Sequence, residues 1–164
     1  MYSPFLFSRV KLFVSKYGTG IAKSIKGTNL FFPAVVGQSI LESGYGDKIP
    51  LNSNNFGGIK YNPNLIGVVG YVESDTTEYK NGVKYKVKQK FSKFKDVESG
   101  FLAHIQVLLG SRYENARNNA KTPQEQILMI AKSGYTTTPP DKYLAQMNGI
   151  IEAVADLTKI GRIK

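Results

Sequence analysis

The sequence predicts an α+β fold, a mainly helical body with one small antiparallel β lobe inserted into it. Three observations predict it. Apolar residues recur at helical spacing near both ends of the chain. Residues 83–91 switch to period two, and helix caps reappear directly after them. Of the 164 residues, 41% are hydrophobic and 21% charged, the composition of a folded globular chain. A single domain is expected over residues 1–164, with the β lobe at about 65–94.

Each element has a local reason. Phe5, Leu6, Arg9, Val10, Phe13, Val14 and Tyr17 alternate apolar and basic positions at helical spacing. Ser3 supplies the cap, Pro4 suits the first turn, and Gly18 and Gly20 are expected to close this helix. A second helix is expected from near Pro33 to Ser43, ended by Gly44 and Gly46. Residues 44–70 are rich in Gly, Asn and Pro and read as a functional loop region. Asn81-Gly82 is a hairpin turn signal between Thr76-Thr77-Glu78-Tyr79 and a strand over Val83 to Phe91. Even positions 84, 86, 88 and 90 of that strand are all Lys, while the odd ones read Val, Tyr, Val, Gln, Phe. Asp96 caps a helix to about Leu109. The capping box Thr122-Pro123-Gln124-Glu125 opens another to about Lys132. A loop from Gly134 to Pro140 leads to a last amphipathic helix, Asp141 to about Thr158.

Composition narrows the chemistry. Cysteine is absent, which removes disulfides, thiolate nucleophiles, zinc–thiolate sites and iron–sulfur sites. There is one histidine, His104, so a His–His metal site is excluded. Lys and Arg total 22 against 12 Asp and Glu, a formal charge of +10 that favours a polyanionic partner: nucleic acid, anionic membrane or an anionic wall polymer. The longest uncharged run, Gly27 to Leu41, has fifteen residues, too few to span a bilayer. The N-terminal residues place Arg9, Lys11 and Lys16 among apolar ones and lack a small-residue cleavage site, so no signal peptide is recognised.

Glu42 stands out, at the C-terminal end of an otherwise apolar helix. Burial and the negative end of the helix dipole should both raise its pKa, as a general acid requires. Pairing with a Lys is the structural alternative. Glu-Ser-Gly recurs at Glu98-Ser99-Gly100, where the first turn of a helix should favour the charged form, so that copy reads as helix capping. A glycosidase commonly uses a second carboxylate, and Glu73, Asp75 and Glu78 lie in or near the β insert. Glu78 reads equally as a cross-strand partner of the Lys row. That row reads as a solvated strand face, or as attraction to an anionic polymer. Tyr85 and Phe91 fall on the opposite side of the strand, which argues against nucleic-acid stacking. His104 reads as a core residue, and Ser43 lacks a base that would make it a nucleophile. Tyr135 and Tyr143 flank a Thr-Thr-Thr-Pro-Pro loop and suit either a sugar subsite or packing.

The segment Gln38-Ser39-Ile40-Leu41-Glu42-Ser43-Gly44-Tyr45-Gly46, followed by Asn54-Asn55-Phe56-Gly57-Gly58-Ile59-Lys60, resembles glycoside hydrolase family 73. Three further blocks agree in order: Thr76 to Gly82; Phe91-Ser92-Lys93-Phe94 with Glu98-Ser99; and Ser133-Gly134-Tyr135-Thr136-Thr137-Thr138-Pro139 with Tyr143. The sequence departs from the family pattern at Tyr45, where Trp is usual, and at Thr136-Thr137-Thr138, where Ala-Thr-Asp is usual. The resemblance implies a lysozyme-like fold with a groove between a helical lobe and a β lobe. It implies a peptidoglycan endo-β-N-acetylglucosaminidase, with Glu42 as general acid and Glu78 and Tyr135 as further catalytic residues. Substrate contacts are implied for Ser43, Tyr45, Asn55, Phe56 and Tyr143. Peptidoglycan glycan strands and the anionic cell wall are the implied partners, with no specific nucleic acid, no metal and no cofactor, and a monomer is expected. Action at the bacterial cell wall follows, by a periplasmic, extracellular or virion-associated protein. A lytic transglycosylase, a muramidase or a non-catalytic wall-binding module are the alternative readings.

Overall fold

The computed structural model describes residues 2–159; Met1 and residues 160–164 of the predicted 1–164 unit lie outside the described residues. Six α-helices and one β hairpin are present among the described residues. Helix α1 (Pro4–Ile25) and helix α2 (Phe32–Ser43) precede strands β1 (Val68–Lys80) and β2 (Val83–Phe94). Helices α3 (Val97–Leu108), α4 (Glu114–Asn119), α5 (Pro123–Lys132) and α6 (Pro140–Lys159) follow.

Helix α1 corrects an expectation. The Ser3 hydroxyl does cap it, accepting from the Leu6 amide at 3.2 Å, but Gly18 and Gly20 do not end it. The helix continues because burial of Ile21 rewards another turn. Gly18 instead gives room: a Cβ there would stand 3.1 Å from Val14 Cγ1 and 3.6 Å from the Phe32 ring. Gly27, with φ +77°, begins the turn that follows the helix.

Helix α2 is the central element. Ala34 to Ile40 are all buried, and the helix packs against α1, α5 and α6. Its approach to α6 is close at Gly37, where a Cβ would meet Ile151 at 3.3 Å. A helix apolar on every side must lie inside, and this one carries its terminal carboxylate to the edge of the core. An aromatic cluster of Phe13, Tyr17, Phe56 and Phe101 fills the space beside it, with Phe56 stacked on Phe101 at 4.6 Å.

The hairpin turns at Asn81 (φ 52°) and Gly82 (φ 79°), the pair of left-handed residues a two-residue turn needs. β1 is longer than the segment expected, Thr76–Tyr79. Glu73 and Asp75 are poor strand formers alone, but they pair across from Lys90 and Lys88. Glu78 stands opposite Tyr85. Along β1 the even positions from 68 to 78 are half-buried or buried and Tyr71, Glu73, Asp75 and Thr77 are exposed. The Lys row of β2 shares that exposed face. Tyr71 and Tyr79 of β1 lie there too, so the separation of aromatics from lysines holds within β2 only. Residues 59–61 extend the hairpin base: the Tyr61 amide donates to Lys90 O (2.9 Å) and the Ser92 amide to Ile59 O (3.0 Å).

Asp96 caps α3, accepting from the Ser99 amide at 2.7 Å, and Thr122 caps α5, accepting from the Glu125 amide at 3.1 Å. Helix α4 was not legible, because Glu114-Asn115-Ala116-Arg117-Asn118-Asn119 has no apolar period. Tertiary contacts hold it: Ala116 is fully buried, and Arg117 donates to the carbonyls of Leu108 (2.6 Å) and Gly110 (2.9 Å) at the end of α3.

Candidate active site

A cleft of about 650 Å³ separates the helical body from the hairpin. Glu42 reaches it from the last turn of α2, just before Gly44 ends the helix in the left-handed conformation (φ 55°). Its Oε1 accepts from the Tyr143 hydroxyl at 3.0 Å, and that hydroxyl accepts from Gln38 Nε2 at 3.4 Å. Its Oε2 lies over Gly58, where a Cβ would stand 2.5 Å away. A Cβ beneath that oxygen would force it to shift, and Gly58 has φ +59° as well. Burial pushes the Glu42 carboxyl up to about 7; the Tyr143 hydrogen bond opposes this and the charge of Glu78 adds to it.

Glu78 faces the same cleft from β1. Thr137 Oγ1 donates to its Oε2 at 2.6 Å, and Lys60 Nζ lies 2.9 Å from its Oε1. Burial alone would raise this carboxyl, but the Thr137 hydroxyl and the Lys60 ammonium outweigh it and hold the group below the usual carboxylate range. Two carboxyls bordering one cleft are therefore driven apart in protonation, one kept as the acid and one as the anion, the division of roles that acid–base catalysis uses.

The loop before α6 ties the two walls together. Thr137 Oγ1 also accepts the Tyr79 amide at 3.1 Å, which fastens the loop to β1. Tyr135 donates its hydroxyl proton to Gly57 O at 2.8 Å. His104 Nε2 lies 3.1 Å from the same hydroxyl, so with that proton already committed the imidazole must be the donor. Its Nδ1 is then bare and unpartnered, and burial pushes the imidazole down to about 4, which keeps it neutral. His104 is thus a core residue whose one polar contact holds Tyr135 in place.

The structure brings Glu42, Glu78, Tyr135 and Tyr143 to one cleft. Four other residues expected at the substrate do not line this cleft. Ser43 is buried, donating to Ser39 O at 2.5 Å and accepting from the Gly46 amide at 2.9 Å, a local bond that shapes the helix end. Asn55 is buried, its amide donating to Ile59 O and Ser92 O at 2.9 Å each, so it fixes the hairpin base. Phe56 is core, 1% exposed. Tyr45 lies outside the cleft-lining set and packs under the Arg9 guanidinium at 4.0 Å. Sequence reasoning gave no role to Lys60, Thr137 or Gln38. They stand within the motif blocks, but their roles do not show there, since each acts through a partner at least 18 positions away. The Gly57-Gly58 pair was the one available signal for close approach to a carboxylate. Among the described residues no group of three or more His, Asp or Glu could hold a metal ion.

A helical body facing a hairpin across a cleft, with a protonated carboxyl on one wall and a charged one on the other, is the design of a lysozyme-like glycoside hydrolase. The chain belongs to the glucosaminidase family: the model of that family, described as mannosyl-glycoprotein endo-beta-N-acetylglucosaminidase, matches residues 20–156. It is 27% identical over 130 residues to the peptidoglycan hydrolase FlgJ of Salmonella typhimurium, a match covering 76% of this chain and 40% of the relative. The FlgJ of Pseudomonas aeruginosa is 31% identical over 111 residues, covering 64% of this chain and 27% of the relative. The chain thus spans less than half the length of these relatives. A crystal structure of a peptidoglycan hydrolase mutant from Sphingomonas sp. A1 superposes with a TM-score of 0.73 at 24% identity, covering 88% of this chain and 98% of that one. The catalytic domain of the autolysin Auto from Listeria monocytogenes gives 0.70 at 22% identity, covering 94% and 88%. At these identities the two structures establish the shared fold alone.

Proposed function

We propose that this chain is the catalytic domain of a peptidoglycan hydrolase that cleaves the β-1,4 bond between N-acetylglucosamine and N-acetylmuramic acid. The observation that carries the reading is the Glu42 carboxyl, kept protonated to about pH 7 with Oε2 open to a cleft across which Glu78 is ionised. Membership of the glucosaminidase family and the relatives named peptidoglycan hydrolase support the substrate.

Glu42 gives its proton to the glycosidic oxygen as the bond to the anomeric carbon breaks, so the leaving sugar departs as an alcohol. Positive charge grows on the glucosamine ring and is met by the Glu78 carboxylate. Water then adds to the anomeric carbon and loses a proton to Glu78. Tyr143 and Gln38 fix the orientation of Glu42, and Tyr135 shapes the floor of the cleft. The protein acts at the bacterial cell wall, as a monomer, and its +10 charge favours that anionic polymer.

Digestion of purified peptidoglycan by the wild type and by Glu42→Gln, followed by reduction and mass spectrometry of the new chain ends, tests this. Reducing N-acetylglucosamine ends that vanish in the variant are expected. Anhydro-muramic or reducing muramic ends would move the bond specificity to a transglycosylase or muramidase. Wall binding without release of any ends would make the chain a binding module.

A further inference from the structure

Tyr61 borders the cleft and also a second hollow of about 340 Å³ shared with Glu73, Lys88, Gln89 and Lys90, on the exposed face of the hairpin. Tyr61 thus links the two hollows at the base of the hairpin. Beside the second one, the Tyr61 and Tyr71 rings lie 5.1 Å apart, and both are exposed, at 39% and 46%. Lys90 Nζ sits 4.3 Å from the centre of the Tyr71 ring. Lys88 and Lys90 stand across from Asp75 and Glu73 in the strand register, but no described ion pair joins them.

Two adjacent exposed tyrosines, their planes tilted by 55°, keep apolar ring surface in water with polar tips at its rim, the composition of a binding surface rather than of a solvated strand. The C–H faces of pyranose rings pack on such rings. Lys90, over one face of the Tyr71 ring, and Lys88, lining the same hollow, call for a ligand that carries carboxylates along a sugar backbone. A peptidoglycan strand has both, in its pyranoses and its stem peptides.

Resting on the function proposed above, we propose that Tyr61, Tyr71, Lys88 and Lys90 form a distal subsite that holds the same glycan strand beyond the cleft. Sugar rings lie on the tyrosine pair and stem-peptide carboxylates face the two lysines. The subsite binds long strands and leaves short ones untouched, so it sets a preference for polymer over fragments.

The test uses Tyr71→Ala combined with Lys90→Ala; both residues are exposed and neither lines the cleft. On sacculi stripped of teichoic acid, kcat/KM should fall by about tenfold, while on short soluble glycan fragments it should stay within about twofold. Cosedimentation of Glu42→Gln with the same sacculi, with and without the pair of changes, reads binding alone and should weaken by a similar factor. Unchanged cosedimentation overturns the subsite, as does an equal loss of activity on long and short substrates. Binding that the changes reduce only on walls still bearing teichoic acid, or only to a single-stranded oligonucleotide, also overturns it in favour of those ligands. If no form of the protein releases glycan ends, the proposed function fails, and cosedimentation still decides the subsite.

Discussion

Among the glycines lining the cleft, Gly58 makes the tightest demand. An alanine there would place Cβ 2.5 Å from Glu42 Oε2, at a backbone φ of +59°. The left-handed conformation costs an L-residue about 1–2 kcal/mol, which lowers Tm by a few degrees, about 2–4 °C per kcal/mol for a chain of this size. The contact itself is a separate matter. Ordinary carbon–oxygen contact requires Oε2 to retreat by about 1 Å, and a misplacement of that size at a reacting group costs about 100-fold in rate. The substitution should therefore lower kcat by about two orders of magnitude while the protein stays folded at 25 °C. Gly27→Ala separates the two effects. Gly27 has φ +77° and nothing within 4 Å of its would-be Cβ, so it carries the strain without the clash. Release of reducing ends from peptidoglycan, together with thermal denaturation of both variants, is the assay. If Gly58→Ala keeps more than about a third of wild-type activity, or Gly27→Ala loses as much, the placement of Glu42 Oε2 over Gly58 has no catalytic consequence.

Other outcomes follow from the same site. Activity should fall as pH rises past about 7, because Glu42 must be protonated, and a pH–rate profile reads this directly. The same shift has a stability sign: between about 4.5 and 7 the unfolded chain has lost the Glu42 proton while the folded chain keeps it, so the cost of ionising a buried group grows with pH and is complete above about 7. Glu42→Gln should therefore raise Tm at pH 8, by up to the equivalent of about 3 kcal/mol, and give no gain at pH 4. Tyr143→Phe removes the donor to Oε1; kcat should drop by about tenfold and the alkaline limb should move to higher pH, since the lost bond favoured the charged form. Lys60→Ala takes away one of the groups holding Glu78 ionised, so the acidic limb should move upward in pH with little change in Tm.

Much of this was legible in short windows of sequence. Helix caps at Ser3, Asp96 and Thr122, the Asn81-Gly82 turn and the alternation in β2 are local patterns, set by backbone bonds spanning three or four residues and by the two-residue period of a strand. Glu42 was legible as a candidate because it ends an otherwise apolar helix, and burial is the largest cause of its raised pKa. The reading failed where the deciding partner was remote. Gly18 and Gly20 look like terminators until Ile21 is seen buried in the core. The burial of Phe56 likewise depends on Phe101, which stacks on it from a distant helix.

The ionised state of Glu78 rests on Thr137, 59 positions away, and on Lys60; the support of Tyr135 rests on Gly57 and His104. A carboxyl's pKa is fixed by what surrounds it in space, and a strand and a loop so far apart in the chain meet only once the helical core has set their distance. The sequence by itself determined that there is a candidate acid at the end of a buried helix and a carboxylate on a hairpin. Tertiary structure alone decided that they border one cleft, that Glu78 is held charged by Thr137 and Lys60, and that Ser43, Asn55 and Phe56 are buried outside the cleft lining.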